Sequence, residues 1–549
     1  MPHYDACMSY ADIVSVTLVV GLEVHVELAT RTKVFASAPN PANPAFHDAE
    51  PNTLIDEVVI GLPGALPVLS REAVEMSMMV GMALGCRVAP LTKWDRKSYF
   101  YPDLPKGYQI SQYDLPVCFD GAVRLPGLDE KGNPDPSREG TTIGIIRAHL
   151  EEDAGKLLHE SPGGRPIDFS IADYNRAGAP LLEIVTQPDF TSAAQVVFYA
   201  KALRNICRFL GVSEGVMQRG HMRFEPNINT HLTLADGRVI KTPIVEIKNL
   251  NSFRAVEAAI EYELAEQPRR WIEDRRVMGK GMKVTRGWDD HRGVSYVQRE
   301  KEDAHDYRYF PDPDLPPLSI DDAWRERVRL RVPELPLARA ERYAKDYGLG
   351  AKEAAALVEE RDDCFFYERA AGALATLGTL PSVAGKLAAN LVLQSGAKRA
   401  NERGVMVSKL GIDAASVAAI AKLREEGQIG NQAVETLFDE LCRAKSTDRV
   451  AQSVARHVDQ TSDDTASDAF AALERLKKLA QERGLLIVRD DAAMERWCDE
   501  AIAAQPAAAA DVRAGKQAAI GRLIGAVMVA SGGKADAKAA REALLKKLK

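Results

Sequence analysis

The chain has 549 residues, of which 46% are apolar and 27% charged, with 71 Lys+Arg against 78 Asp+Glu for a net charge of -7. That size excludes a peptide or a disulfide mini-protein and, at roughly 150 residues per domain, leaves room for three or four domains. The charge balance excludes a uniformly basic nucleic-acid coat but leaves room for a local basic patch.

The first segment, MPHYDACMSYADIV, lacks the basic and apolar stretches of a signal peptide, and residues 1–15 read as an N-terminal extension. GLEVHVEL (21–28) alternates strictly and predicts a strand. Leu22, Val24, Val26 and Leu28 share one face; Glu23, His25 and Glu27 share the other, spaced by about 6.6 Å. IGIIRAHLEE (143–152) and LLEIV (181–185) are further strand-like runs. Between Ser192, an N-cap type, and Gly211, a stop, the stripe Val196, Tyr199, Leu203, Ile206, Cys207 and Leu210 predicts a helix. Ser252 is placed to cap a second helix with the stripe Val256, Ile260 and Leu264.

Proline marks the main division: of 29, only Pro333, Pro336, Pro381 and Pro506 lie after residue 330. The rest is rich in Ala, Leu, Lys, Arg and Glu at helical spacing, as in Ile520, Leu523, Ile524 and Val527 before the stop Gly532-Gly533. The fold class is therefore α+β: a large mixed body over 16–318, a helical domain over 319–408 and a helical tail domain over 409–549. HVDQTSDDTASD (457–468) reads as an exposed polar loop. No run of eighteen apolar residues exists, so no membrane span is expected. The seven cysteines are scattered, which suits reduced thiols in a cytoplasmic protein better than a disulfide framework.

Candidate chemistry gathers on carboxylates. Two carboxylates around the imidazole of His25 can hold a divalent cation or relay protons, although for the strand alone a solvated outer face is the simpler explanation. HLEEDAGK (149–156) sets Glu151, Glu152 and Asp153 side by side, and Glu183 sits inside an apolar strand. Several costly carboxylates in one body favour a magnesium site, because Mg²⁺ prefers oxygen ligands. Asn175, Arg176, Lys248, Asn249, Asn251 and Ser252 offer groups for phosphate or carboxylate oxygens, with turn and capping chemistry as the competing explanation. No P-loop, GxSxG, HExxH or amidase-type serine stretch is present.

Taken in order, these segments resemble the B subunits of the bacterial aspartyl/glutamyl-tRNA(Asn/Gln) amidotransferase. The likeness runs through GLEVHVEL, GLPGALPV (61–68), KSYFYPDLPKGYQISQYDLP (97–116), HLEEDAGK, DYNRAGAPLLEIV (173–185), EIKNLNSFRAVEAAIEYE (246–263) and KEDAHDYRYFPDPDLPPL (301–318), and the end of the chain looks like that family's helical tail. The resemblance implies a cradle-like catalytic body. It also implies ATP-dependent phosphorylation of the side-chain carboxylate of mischarged Glu-tRNA(Gln) or Asp-tRNA(Asn), followed by displacement of phosphate by ammonia. The ammonia comes from the enzyme's amidase (glutaminase) partner, the A subunit, in a complex that also holds a small third protein, the C subunit. The missing P-loop and missing amidase nucleophile fit that division of labour.

The resemblance implies magnesium ligands at His25, Glu152 and Glu183, with Glu23 lining the site. Alternation from Arg147 and His149 instead places Glu151 on the polar face; a bulge would reconcile the two, and Glu152 is the expected ligand. Glu151, Lys156, Asn175, Arg176, Arg223, Glu225, Asn227, Lys248, Asn249, Asn251, Ser252 and Arg308 are implied at the ATP and substrate site. Some members carry cysteine pairs before GLPG that look like a zinc site; this chain has none there, so no zinc is expected. The family's EEGSxRCDxN reads QRGHMRFEPN (218–227), with Glu225 for an aspartate and with Gln218 and His221 as departures. A non-catalytic tRNA-binding scaffold is the alternative function. An archaeal Glu-tRNA(Gln)-specific relative is a further one, although its inserted domain finds no room between 246 and 318. The tail's basic residues, Lys516, Arg522, Lys534, Lys538, Arg541, Lys546, Lys547 and Lys549, are expected to hold tRNA by shape.

Overall fold

A computed structural model describes residues 12–161, 164–280, 282–300, 307–444, 465–487, 491–514, 516–533 and 535–548. Nearly all of the N-terminal extension and most of the polar 457–468 segment therefore lie outside the described residues, as does the start of KEDAHDYRYF. The chain divides into two compact units, residues 1–336 and 337–549.

The strands of the first unit are β1 (Ile13–Glu27), β2 (Arg87–Val88), β3 (Leu91–Thr92), β4 (Asp95–Ser98), β5 (Tyr108–Ser111), β6 (Cys118–Leu125), β7 (Thr141–Glu152), β8 (Lys156–Ser161), β9 (Arg165–Asp173) and β10 (Pro180–Thr186). They continue with β11 (Met222–Leu234), β12 (Val239–Lys241), β13 (Val245–Lys248), β14 (Val284–Asp289), β15 (Val294–Glu300), β16 (Phe310–Pro311) and β17 (Leu318–Ser319). One large sheet runs β15-β14-β13-β11-β1-β10-β7-β6-β2, with β12 paired to β11. Among the described residues, only β13 and β14 are parallel neighbours in it. A small sheet, β16-β4-β5, and the hairpin β8-β9 stand apart from it.

The long β1 lies at the centre because it alternates over its whole second half. Leu22, Val24 and Val26 are at most 1% exposed and pack with helices α1 (Arg71–Ala83), α2 (Ala193–Leu210) and α3 (Phe253–Asp274). Ser192 and Ser252 cap α2 and α3 by accepting from the backbone N–H of Gln195 and Ala255, and Gly211 ends α2 with φ 71°. α3 runs past the stripe expected for it, through the buried Pro268 to Asp274. The expected break at residue 318 falls inside the first unit. There, α4 (Asp322–Arg329) brings Val328 into the core while Trp324 Nε1 donates to Glu75 at 2.9 Å.

The second unit is helical: α5 (Pro336–Tyr347), α6 (Ala351–Leu357), α7 (Arg361–Thr376), α8 (Pro381–Asn390), α9 (Ala397–Arg403), α10 (Ala414–Glu425), α11 (Asn431–Ala444), α12 (Thr465–Glu482), α13 (Asp491–Ala504), α14 (Pro506–Arg513), α15 (Ile520–Ala530) and α16 (Ala537–Leu548). Six residues in π-helical geometry, Leu391–Gly396, join α8 to α9. Ile520, Leu523 and Val527 of α15 are buried against Ala540 and Leu544 of α16, and Gly532 and Gly533 end the turn with positive φ. Arg522, Lys538, Arg541 and Lys546 are exposed, whereas Lys547 pairs with Asp499 at 2.6 Å. Among the described residues no helix is long and apolar enough to cross a membrane, and the described cysteines are free.

Gly81 shows how closely α1 lies on the sheet: a Cβ there would stand 2.3 Å from Cys118 Sγ on β6. Alanine is the better helix former by about 1 kcal/mol. Overpacking nevertheless costs about 1–3 kcal/mol, so Gly81→Ala is expected to destabilise the first unit. Urea unfolding followed by circular dichroism checks the sign.

Candidate active site

The polar face of the large sheet is built by register. β1 runs antiparallel to β11 on one side and to β10 on the other, and β10 to β7. Arg223, His25, Glu183 and His149 therefore stand in one row across four neighbouring strands. The next row holds Glu225, Glu23, Val185 and Arg147; the row on the other side holds Glu27, Leu181 and Glu151. Each of these side chains is opposite to the apolar face that the helices cover, as the period of two requires.

Within the rows, His25 Nε2 lies 3.4 Å from Glu183 Oε2 and 3.7 Å from Glu23 Oε1, and its Nδ1 lies 3.9 Å from Glu225 Oε1. His149 Nε2 lies 3.6 Å from Glu151 Oε2 and 3.7 Å from Glu183 Oε2, and Arg147 Nη2 is 3.7 Å from Glu183 Oε1. Lys248 Nζ meets Glu225 at 2.5 Å and Glu246 at 3.6 Å. Arg223 donates to Asp153 at 2.7 Å, and Arg176 approaches the same carboxylate at 3.5 Å.

The structure separates the two adjacent glutamates of β7. The β7–β10 ladder is continuous from Pro180–Glu152 to Val185–Arg147, without the bulge expected before Glu152. Glu151 therefore shares the face of Arg147 and His149 and accepts from Ser111 Oγ at 2.8 Å. Glu152 points the other way, where Lys106 Nζ donates to both of its oxygens at 2.5 and 2.6 Å and Ile110 N–H donates at 2.9 Å. The geometry thus brings Glu151, and not Glu152, to His149 and Glu183.

Several other expected site residues have local tasks. The Asn175 side chain accepts from Leu54 N–H at 2.8 Å and donates to Glu50 O at 2.7 Å, which ties the 50–54 loop to the body. Ser252 is the α3 cap, and Asn251 beside it is exposed. Asn249 holds φ 66° with its amide 3.5 Å from Tyr296 Oη. Lys156 is exposed on the β8-β9 hairpin, and Arg308 is exposed at φ 47°. Asn227 stays with the cluster: it lies opposite Glu246, with its buried Oδ1 lacking a hydrogen-bond partner. The segment before GLPG packs Ala38 and Val59 against Ala177 in a small apolar cluster.

The structure adds residues that sequence reasoning did not single out. His149 lies two residues before Glu151, so β7 alternation alone pointed to it. Lys97 of β4 carries its ammonium 5.0 Å from the Tyr307 ring, and its charge is favoured by Glu151 and Glu183. It comes from a separate small sheet, and only the tertiary fold reveals its place.

Burial and proximity shift the charges. Burial alone would lower His25, but Glu183 and Glu225 outweigh it and raise its pKa to about 9. Burial likewise opposes ionisation of Glu183, yet His149 and His25 hold its pKa well below the usual carboxylate range. Glu23 is raised by burial and by Glu183. Glu27 is raised to about 8 by burial and by Asp153. The set combines many carboxylate oxygens with imidazoles, and three triads within it, Glu23–His25–Glu183, His149–Glu151–Glu183 and Glu23–Glu225–Glu246, each bring ligand atoms within 4.8 Å of one another. His25 Nδ1 is buried without a hydrogen-bond partner. This donor chemistry fits a hard divalent cation.

A family model described as the GatB/GatE catalytic domain matches residues 18–326, and one described as the GatB domain matches residues 379–548. The chain belongs to the family of amidotransferase B subunits. It is 39% identical over 521 residues to the B subunit of the aspartyl/glutamyl-tRNA(Asn/Gln) amidotransferase of Rhodopirellula baltica, covering 95% of this chain and 94% of that protein. It is 40% identical over 519 residues to the protein of the same name from Moorella thermoacetica, covering 94% and 96%. For the Thermomicrobium roseum protein of that name the figures are 40% over 529 residues, with 96% and 97% covered. Every residue of the charged rows lies inside the segment matched by the catalytic-domain model.

Glu151→Gln and Glu183→Gln are each expected to weaken manganese binding by at least about tenfold, and Glu152→Gln to leave it unchanged. Titration of the purified chain followed by electron paramagnetic resonance of free manganese distinguishes these outcomes.

Proposed function

We propose that this chain is the ATP-dependent activating component of a tRNA-dependent amidotransferase, a ligase acting on Glu-tRNA(Gln), Asp-tRNA(Asn) or both. The observation that carries the reading is the row of His25, Glu183 and His149 with Glu23 and Glu151 beside it, in a family whose relatives bear that name. A protein that only held tRNA would gain nothing from buried carboxylates, which repel phosphates. This favours the enzyme over the scaffold.

In the proposed reaction the side-chain carboxylate of the mischarged aminoacyl group attacks the γ-phosphorus of ATP. The bond from that phosphorus to the ADP oxygen breaks, and an acyl phosphate forms. Ammonia then attacks the acyl carbon, inorganic phosphate leaves, and the amide results. His25, Glu151 and Glu183, with Glu23 and His149 beside them, would hold Mg²⁺, which offsets the repulsion between an attacking carboxylate and a triphosphate. Lys97, Arg147, Arg223 and Lys248 ring the carboxylates and suit phosphate oxygens. Ion pairs with Glu225 and Asp153 hold Lys248 and Arg223 in place before substrate arrives.

Ammonia would come from the amidase partner, in a complex with the small third protein. The chain is therefore expected to hydrolyse almost no glutamine alone, and free ammonium is expected to replace the partner in part. Glutaminase assays of the isolated chain check this, and robust activity there would contradict it. Glu183→Gln is expected to abolish acyl phosphate formation while tRNA binding survives. Loss of several kcal/mol of transition-state stabilisation corresponds to orders of magnitude in rate. A filter-binding assay alongside the phosphorylation assay separates the two effects.

Residues 409–549 are proposed to hold the outer part of the tRNA through phosphates and 2′-hydroxyls. A chain ending at residue 408 is expected to show a raised KM for aminoacyl-tRNA with kcat nearly kept, because removing uniform binding leaves the chemical step alone. The steep salt dependence of tRNA affinity is expected to flatten. Steady-state kinetics of the truncated complex test this.

A further inference from the structure

We propose a second metal site, for zinc or a similar borderline divalent ion, formed by His47, Glu214 and His221. None of its residues belongs to the rows of the sheet, and it does not rest on the function proposed above.

Two segments of chain supply it, the second of them twice. His47 follows the short 3₁₀ turn Pro44–Phe46, in the cysteine-free segment before GLPG. Glu214 lies in the loop after α2, between Gly211 and Gly215, both with positive φ. His221 follows Gly220, at φ 83°, immediately before β11. Their ligand atoms all lie within 4.8 Å of one another. His47 Nε2 is 3.7 Å from Glu214 Oε2, and the two imidazole rings are 5.5 Å apart at 36° to each other.

Two further observations point to a ligand. His221 is 3% exposed, and its Nδ1 has no hydrogen-bond partner. His47 Nε2 is likewise buried and without one. Leaving a buried nitrogen without a partner is costly, and here two of them sit beside a carboxylate.

The donor set identifies the class of ion. Two imidazole nitrogens and one carboxylate oxygen suit zinc, cobalt or nickel, whereas magnesium requires mostly oxygen. Glu214 is partly exposed, so water can complete a four-coordinate shell. Such an ion would clamp the 38–52 segment to the loop that leads into Arg223. The Asp48–Arg219 ion pair, at 3.2 Å, already bridges the same two segments. The expectation that the chain lacks zinc rested on cysteine alone, and this site contains none.

The test is calorimetric titration of the chelator-stripped full chain with zinc, in excess magnesium. We expect one tight equivalent, weakened at least about tenfold in His47→Ala and in His221→Ala. It is expected to be retained in His47→Cys, which supplies a thiolate, and in Glu183→Gln, which disables the charged rows instead. Cobalt in place of zinc is expected to give the intense visible absorption of a four-coordinate site, lost in the same two alanine variants. His47 lies on a surface loop, so His47→Ala decides the question even where circular dichroism shows His221→Ala to be misfolded. Absence of a tight equivalent, its survival in His47→Ala, or its loss in Glu183→Gln would overturn the proposal.

Discussion

The molecule's chemistry depends on the pairing of β1 with β10 and β11. A strand has a side-chain period of two, so sliding β1 by one residue would send every carboxylate into the core and every leucine into the site. The apolar face prevents this. Leu22, Val24 and Val26 pack with α1, α2 and α3, and burying side chains of this kind stabilises by about 1.5–3 kcal/mol each. That burial sustains the opposite face, where Glu23, Glu183, Glu151 and Glu225 are gathered at a cost in repulsion and desolvation.

The cost is reduced locally by alternating charge. His25 stands between Glu183 and Glu225, His149 between Glu151 and Glu183, Lys248 between Glu225 and Glu246, and Arg223 shares Asp153 with Arg176. Buried ion pairs are weak contributors to stability compared with apolar replacements. A fold needing only to be stable would not concentrate them on one face of its large sheet. Their concentration makes physical sense for a reaction in which negative charge must be brought against negative charge.

Much of this was legible in the sequence wherever a local period carried the information. The two faces of β1, the helices starting at Ser192 and Ser252, and the stop at Gly532-Gly533 follow from alternation, capping and glycine geometry. What was missed depends on tertiary pairing. A family likeness carries residue types but not register, so it favoured Glu152, whereas simple alternation through Arg147 and His149 put Glu151 on the polar face, where the ladder has it. Lys97 arrives from a separate sheet, which no local pattern reveals. Asn175 and Ser252 look the same in sequence whether they bind a ligand or tie a loop, and here their hydrogen bonds go to the protein itself. The break expected near 318 lies within the first compact unit, where Val328 of α4 is buried in the core.

The most direct test of the central claim follows oxygen atoms. The side-chain carboxylate of the mischarged aminoacyl-tRNA is labelled with oxygen-18, and the inorganic phosphate released during amidation is analysed by mass spectrometry. If the charged face of the sheet activates that carboxylate, each turnover transfers one labelled oxygen to phosphate. Transfer is retained in Glu152→Gln, whose side chain faces away, and lost in Glu151→Gln. Amidation that releases unlabelled phosphate, or label transfer that survives Glu151→Gln and disappears in Glu152→Gln, would contradict the account.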